Sequence, residues 1–160
     1  MEIVNKRWML EINSYDSGQL HLNGVMLPEV QRRKTEEDER QMRQFLSEND
    51  LVVAEVQLIN NQDKNISIHI RNDKFGKLKN GFLAKVSSDL IKKQTRHMVD
   101  LSMGIKIILG MNGWIWLEVL DAADEQGFEK IAKLVNILNL FEENYVGIRL
   151  ETILNCYTMT

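Results

Sequence analysis

The stretch from Ile105 to Leu117, reading IKIILGMNGWIWL, constrains the fold more than any other part of the chain. A run of apolar residues ends at Gly110-Met111-Asn112-Gly113, and a second run with two tryptophans begins directly after it. Asn-Gly between two such runs is typical of a β-hairpin, because both residues tolerate the positive φ that a tight turn requires. The stretch therefore predicts a buried two-stranded ribbon with its turn at residues 110–113.

The same four residues allow a second interpretation. GMNG fits the pattern GxxG, the loop with which KH domains hold a nucleic-acid backbone. A clamp of this kind exposes its backbone and usually carries a cation at its variable positions, which here are Met111 and Asn112. Because the neighbours Leu109 and Trp114 favour burial, we expect a structural turn rather than the clamp.

The composition is that of an ordinary globular protein. Apolar residues make up 44% of the chain and charged residues 27%. The length of 160 residues is enough for one large domain or two small ones. We expect no membrane segment, because no apolar run approaches ~18 residues. We also expect an intracellular protein, because MEIVNKRW lacks the apolar part of a signal peptide and the single Cys156 cannot form an internal disulfide. The net charge of −3 argues against a free-standing, high-affinity nucleic-acid binder but allows local basic patches.

The first half of the chain predicts a small antiparallel barrel with one helix. Thr35 is the expected N-cap of the helix, with Asp38 three residues later. Asn23-Gly24 predicts a turn. The predicted strands are Trp8–Ile12, Gln19–Leu22, Leu51–Ile59 and Ile66–Arg71. An OB-fold needs five strands, so its first strand would be the short segment 1–6, and the barrel would be incomplete.

The second half predicts a separate α+β domain. Asn72–Asn80 is a polar connector, which places the two domains at 1–73 and 78–160. Strand Gly81–Val86 should lead into a short helix that Ser87 or Ser88 caps and that continues through Gln94. A helix from Asp124 to Tyr145 should stop at Gly147, followed by another at 150–157. The residues expected on its core-facing side are Phe128, Ile131, Leu134, Val135, Leu138 and Phe141.

The chain offers no recognisable catalytic pattern. His21, His69 and His97 are scattered singly, without His or Cys at metal-ligand spacing. P-loop, GxSxG and HExxH strings do not occur. We therefore expect no enzyme activity, no metal, no cofactor and no small-molecule substrate.

Four basic spots are candidates for contact with phosphates. They are Lys6-Arg7-Trp8, the cluster Arg32-Arg33-Lys34, the pair His69 and Arg71 on one strand face, and Lys92-Lys93 with Arg96-His97. Cations beside an aromatic ring can neutralise phosphates and stack bases. The alternative is that the cations are merely solvated and that Trp8 belongs to the core.

The order of these features resembles one family along nearly the whole chain. The matching segments are KRW at 6–8, LNGVMLP at 22–28, RRKTEEDE at 32–39, AEVQ at 54–57, ISIHIRN at 66–72, FGKLKNGFLAKVS at 75–87 and ILGMNGWIWL at 108–117. The resemblance is to the RNA-binding cap subunits of the RNA exosome, of the type called ribosomal RNA processing protein four.

This resemblance implies a partial five-stranded OB-fold of the S1 type, then a KH domain with a GxNG hairpin and C-terminal helices. In the family, Gly110, Asn112 and Gly113 correspond to a structural turn packed between the two domains. The cap subunits sit on a ring of RNase PH-like proteins in the nucleus, nucleolus and cytoplasm. They guide single-stranded RNA toward a separate 3′→5′ nuclease subunit. The family's N-terminal domain has no counterpart here, so the chain resembles a fragment.

The expected RNA contacts lie in the S1 half. They are Lys6, Arg7, Trp8, His69 and Arg71, with Arg32, Arg33 and Lys34 as an outer rim. A second hypothesis is a protein-interaction scaffold whose domains bind little or no RNA. A stand-alone nuclease is disfavoured, because no clustered acids or histidines are found.

Overall fold

The computed structural model describes residues 2–4, 6–25, 35–60, 65–72 and 74–159. The chain divides into two compact units, Met1–Lys79 and Asn80–Thr160. In the first unit the strands are Glu2–Val4 (β1), Arg7–Leu10 (β2), Gly18–Val25 (β3), Val52–Val53 (β4), Glu55–Asn60 (β5), Asn65–Ile70 (β6) and Gly76–Lys77 (β7). Its helices are Glu36–Arg40 (α1) and Met42–Phe45 (α2).

The first unit is built on a five-stranded sheet in the order β1-β2-β3-β6-β5. β1, β2 and β3 form an antiparallel meander, and β5 and β6 form an antiparallel pair. β6 runs parallel to β3, so the prediction of a purely antiparallel sheet is wrong at this position. The chain between β3 and β6 contains α1, α2, β4 and β5, and a parallel pair requires a long connection of this kind. The predicted five-stranded OB-type sheet is confirmed.

Two local predictions in this unit are wrong. Asn23-Gly24 is not a turn, because β3 continues through Val25. A β-carbon on Gly24 would lie 3.2 Å from both His21 O and Ile68 O, so glycine here permits the close approach of two backbones. The predicted strand 51–59 is two strands, because β4 pairs with β7 while β5 pairs with β6.

The predicted N-cap is confirmed at Thr35. Its backbone N–H and its hydroxyl both donate to Asp38 Oδ2, at 2.8 and 3.1 Å, and Asp38 is buried. The helix is shorter than the charge pattern predicts, since it breaks at Gln41 and resumes as α2. The core beneath the sheet consists of Trp8, Leu10, Leu20, Leu22, Val25, Met42, Leu46, Ile68 and Ile70.

The second unit has a four-stranded antiparallel sheet in the order β8-β11-β10-β9. Its strands are Gly81–Lys85 (β8), Met98–Asp100 (β9), Ile105–Leu109 (β10) and Trp114–Val119 (β11). The predicted hairpin is confirmed, with Leu109 paired to Ile115 across residues 110–113. The predicted helix through Gln94 is wrong. A single 3-10 turn, Ser88–Leu90, ends there because Ile91 forms a parallel bridge to Ile148.

Two helices complete this unit, the first packed on the sheet and the second packed against the first. They are Gly127–Glu143 (α3) and Leu150–Met159 (α4). Phe128 was expected in the core but is 80% exposed, because in the first turn of α3 the buried face passes through Gly127 instead. α3 ends before Gly147, because Asn144 is its C-cap and Tyr145 takes the positive φ of 54°. The buried positions of α3 are Gly127, Ile131, Leu134, Ile137, Leu138 and Phe141.

None of the helices in the described part of the chain is long and apolar enough to cross a membrane.

Candidate nucleic-acid interface

The outward face of the first sheet carries a polar network across three strands. Side chains alternate along β2 and β3, so Arg7, Gln19 and His21 lie opposite the buried Trp8 and Leu20. Arg7 Nη1 donates to Gln19 Oε1 at 2.9 Å, and Gln19 Nε2 donates to Asn65 Oδ1 at 2.5 Å. Arg7 is also the register partner of His21. The network orients a guanidinium on the outward face.

His21 is electrostatically coupled to Arg7. Partial burial lowers the pKa of the His21 imidazole below its ordinary value, and the positive charge of Arg7 lowers it further. The neutral ring therefore prevails over a wider pH range than in a solvated histidine. An anion bound beside Arg7 would offset that positive charge and would raise the pKa of His21.

Lys6 lies in the turn between β1 and β2, with a positive φ of 61°. Its ammonium donates to Glu39 Oε2 of α1 at 2.6 Å, and this hydrogen bond raises the pKa of Lys6. The charge of Lys6 is thus already compensated, so a phosphate would have to compete with Glu39 for it.

Trp8 was predicted to contact RNA, and its burial contradicts that role. The side chain is fully buried, and its indole N–H donates to Leu46 O at 3.0 Å. A base cannot reach this ring. Among the described residues of the unit, the strongly exposed aromatic is Tyr15, at 93% exposure, in the loop between β2 and β3. Its position in the polar segment 15–18 is the pattern that could have identified it.

His69 and Arg71 lie at the end of β6. His69 alternates with the buried Ile68 and Ile70, and its side chain is 17% exposed. Its Nε2 lies 4.0 Å from Glu55 Oε2, while Nδ1 is buried without a hydrogen-bond partner in the described part of the chain. Arg71 follows the strand directly and is exposed. Arg32, Arg33 and Lys34 lie outside the described residues.

The turn at residues 110–113 uses its own polar groups. Gly110 N–H donates to Trp114 O at 2.9 Å, and Gly113 N–H donates to Gly110 O at 3.0 Å. Asn112 Oδ1 accepts from Trp114 N–H at 3.1 Å. Gly113 is buried and Met111 is 51% exposed. These bonds fit a structural turn and leave less free backbone than a GxxG clamp requires.

The fourth basic spot is rearranged by the fold. Both ring nitrogens of His97 are engaged within the protein, because Nε2 accepts a hydrogen bond from Gln94 N–H at 3.1 Å and Nδ1 lies 2.9 Å from Leu109 O. Lys93 and Arg96 line a cleft together with Arg149. Arg149 was not among the residues predicted from sequence, because it lies more than 50 positions further along the chain and no local pattern marks it.

Within the described ranges, no group of three or more His, Cys, Asp or Glu side chains is arranged to hold a metal ion.

Two family models match the chain. The S1 domain of RRP4 matches residues 1–58, and a KH domain matches residues 81–119. A solved structure described as an exosome complex RNA-binding protein has a similar fold, with a TM-score of 0.58 and 18% identity over 96% of this chain and 85% of that chain.

Relatives in other organisms share much of the sequence. Exosome complex component RRP4 of Saccharomyces cerevisiae is 44% identical over 77% of this chain, and its Mus musculus counterpart is 45% identical over 72%. The matched part spans 34% and 40% of these two relatives. From the two domain matches and these identities, the chain belongs to the RRP4 family and carries its S1 and KH domains.

Proposed function

We propose that this chain is the S1 and KH part of a non-catalytic RNA-binding cap subunit of the RNA exosome. It guides single-stranded RNA into a 3′→5′ exoribonuclease complex for ribosomal RNA processing and RNA degradation. The observation that carries this proposal is the outward face of β2 and β3, where Arg7 is held by Gln19 and flanked by His21. The corresponding strand face is the one that OB-folds use for oligonucleotides.

The proposed partners are the RNase PH-like ring subunits of the exosome and single-stranded RNA. The proposed locations are the nucleus, the nucleolus and the cytoplasm. The curated relatives carry the name of an exosome complex component, which supports membership in that complex. The proposed locations follow from the resemblance to the family alone. Cleavage is assigned to another subunit, because the polar groups described above form hydrogen-bond networks rather than an acid, base and nucleophile in one cleft.

A protein-interaction scaffold is the second candidate, and one observation favours it. β5 lies at the end of the first sheet, and three of its apolar side chains are 51 to 61% exposed: Val56, Leu58 and Ile59. Exposed apolar strands at a sheet edge are typical contact sites for other chains. On this alternative, RNA affinity would be negligible.

The test measures the affinity of the 160-residue chain for a labelled single-stranded RNA over a range of salt concentrations. Lost phosphate contacts reduce the slope of log affinity against log salt by roughly 0.7 each. We therefore expect Arg7→Ala with Arg71→Ala to weaken binding and to flatten the slope. Arg40→Ala with Lys74→Ala is the charge-matched control, since both are exposed cations outside the strands of the sheet. Met111→Lys should leave the slope nearly unchanged.

Two results would contradict the proposal. Salt-independent or undetectable RNA binding by the unchanged chain would favour the scaffold. Chemical-shift changes confined to Gly110–Gly113, with full affinity in the Arg7 and Arg71 variant, would make the turn the RNA contact instead.

A further inference from the structure

A cleft in the second unit brings three cations together from two distant parts of the sequence. Its volume is about 550 Å³, and Lys93 and Arg96 line it from one segment while Arg149 lines it from the position directly before α4. Glu151 is the acidic residue in the lining. The excess of positive charge favours an anionic ligand.

Backbone hydrogen bonds fix the two walls of this cleft relative to each other. Ile148 N–H donates to Leu90 O at 2.7 Å, and Lys92 N–H donates to Ile148 O at 3.1 Å. Leu150 N–H donates to Gln94 Oε1 at 3.0 Å. Because these bonds hold the segment 90–94 against 148–150, the cleft is formed before any ligand arrives.

Gln94 has an unused donor at this place. Its Oε1 is engaged by Leu150, while its Nε2 is buried and has no hydrogen-bond partner among the residues that the structure describes. A buried amide donor without an acceptor is unfavourable. Gln94 is itself part of the lining of the cleft, so this uncompensated donor lies next to the wall that carries the cations.

The size and lining of the cleft indicate what kind of anion fits. A bare phosphate would fill only a small part of 550 Å³, whereas pockets for small ligands range from about 300 to 1,000 Å³. Val99 and Leu150 add apolar surface beside the cations. Two guanidinium groups suit phosphate oxygens, and the apolar wall suits a sugar or base.

We propose that this cleft binds one nucleotide unit of single-stranded RNA, with the phosphate held by Arg96 and Arg149 and assisted by Lys93. The site is separate from the turn at residues 110–113. It rests on the proposed RNA-binding function and adds to it a second contact, in the KH unit.

The experiment is an amide chemical-shift titration of the full chain with a short single-stranded RNA, followed by salt-dependent affinity measurements. We expect shifts at residues 93–96 and 149–151. Arg96→Gln with Arg149→Gln should remove these shifts and reduce the salt slope by about 1.4, at roughly 0.7 for each lost contact. Unchanged shifts elsewhere in the second unit would show that this variant is folded, and Lys93→Gln serves as a milder second variant.

The matched control is Lys85→Gln with Lys133→Gln. It removes two positive charges from the same unit, but these ammonium groups lie over the rings of Trp114 and Tyr157, at 4.6 and 4.2 Å from the ring centroids. The cleft shifts should persist in this control. They should also persist in Arg7→Ala with Arg71→Ala, which alters only the first unit.

The outcomes separate this proposal from the general one. Shifts in the first unit with none at 93–96 and 149–151 would overturn the cleft and leave the proposed function standing. No RNA binding at all would overturn both. Inorganic phosphate that produced the same cleft shifts with equal affinity would assign the cleft to free phosphate, and an acidic peptide that bound more tightly than RNA would assign it to a protein. Either result would overturn the RNA assignment.

Discussion

Gly113 and Val86 lie against each other through their backbones. Gly113 O accepts a hydrogen bond from Val86 N–H at 2.9 Å, and a β-carbon at Gly113 would collide with Val86 O. Gly113 also has a positive φ of 86°. The turn between β10 and β11 therefore requires glycine for two independent reasons, its dihedral angle and the space it leaves for the strand end at Val86.

Gly113→Val should destabilise the second unit by at least about 2 kcal/mol, since a β-branched residue at positive φ is strained and the new side chain overlaps backbone. A thermal melt followed by near-ultraviolet circular dichroism would measure this change. Met111→Val in the same turn is the control, because Met111 is 51% exposed and its φ is not positive. Equal melting temperatures for the two variants would contradict the role assigned to Gly113.

The hairpin was predictable from sequence because its determinants are local. Strand propensity, Asn-Gly and the apolar runs all lie within residues 105–117. The N-cap at Thr35 was predictable for the same reason. Local patterns do not predict the parallel pairing of β3 with β6 or the bridge from Ile91 to Ile148, because both depend on partners far along the chain.

In the candidate sites, too, local features were predictable from sequence and long-range contacts were not. Arg7 could be placed on an outward face by alternation alone. The hydrogen-bond partner of the buried Trp8 indole is the carbonyl of Leu46, 38 positions away, and no neighbouring residue indicates that partner. The cleft at Arg149 likewise appears only when 90–94 is joined to 148–150. Contacts across long sequence separations are what a single sequence does not specify.

Trp8 and Tyr15 should respond oppositely to substitution. Trp8→Phe leaves Leu46 O without its donor in the core, so the free energy of unfolding should fall by about 1–3 kcal/mol. Tyr15→Ala should change stability by less than about 0.5 kcal/mol, because the side chain is 93% exposed. If Tyr15 stacks on RNA, its loss should weaken binding by about 1–3 kcal/mol.

Chemical denaturation and RNA titration of both variants measure these effects. A Trp8→Phe protein of unchanged stability would contradict the assigned core hydrogen bond. A Tyr15→Ala protein with unchanged RNA affinity would remove Tyr15 from the proposed interface.

Asp50 should make the first unit sensitive to acid. Burial acts to raise the pKa of its carboxyl, but hydrogen bonds from Lys77 at 2.7 Å and from Ser47 N–H at 2.9 Å outweigh burial, and the pKa lies below its ordinary value. Its contribution to stability is therefore complete above the unfolded-state pKa of about 3.9 and is lost as the pH falls through the folded-state value.

Lys77→Gln should raise the pKa of Asp50 and reduce this part of the acid dependence. The stability loss near neutral pH should be below about 1 kcal/mol, because the Lys77 side chain is 39% exposed. Carboxyl carbon shifts measured against pH test the pKa, with Lys74→Gln as the control for removal of an exposed lysine. An unchanged Asp50 titration in Lys77→Gln would show that the ion pair does not control it.

The pKa of His21 can be used to test whether an anion binds Arg7. Burial is the larger cause of its lowered pKa and the charge of Arg7 the smaller, so Arg7→Gln should raise the pKa only partway to the ordinary value. Because the folded-state pKa is depressed, stability is lost as the pH falls from about 6.5 toward the folded value, and Arg7→Gln should lessen that loss. Imidazole proton shifts measured against pH give this pKa directly, with Lys74→Gln as the control.

Binding of single-stranded RNA at Arg7 should also change the pKa of His21. A phosphate on Arg7 would offset the positive charge that disfavours protonation, so saturating RNA should raise the His21 pKa in the unchanged chain. In Arg7→Gln the further rise on adding RNA should be smaller, because the main phosphate contact near His21 is gone. Binding of RNA elsewhere on the chain would leave the His21 titration where it is in the free protein, and that result would exclude the outward face of β2 and β3 as the contact.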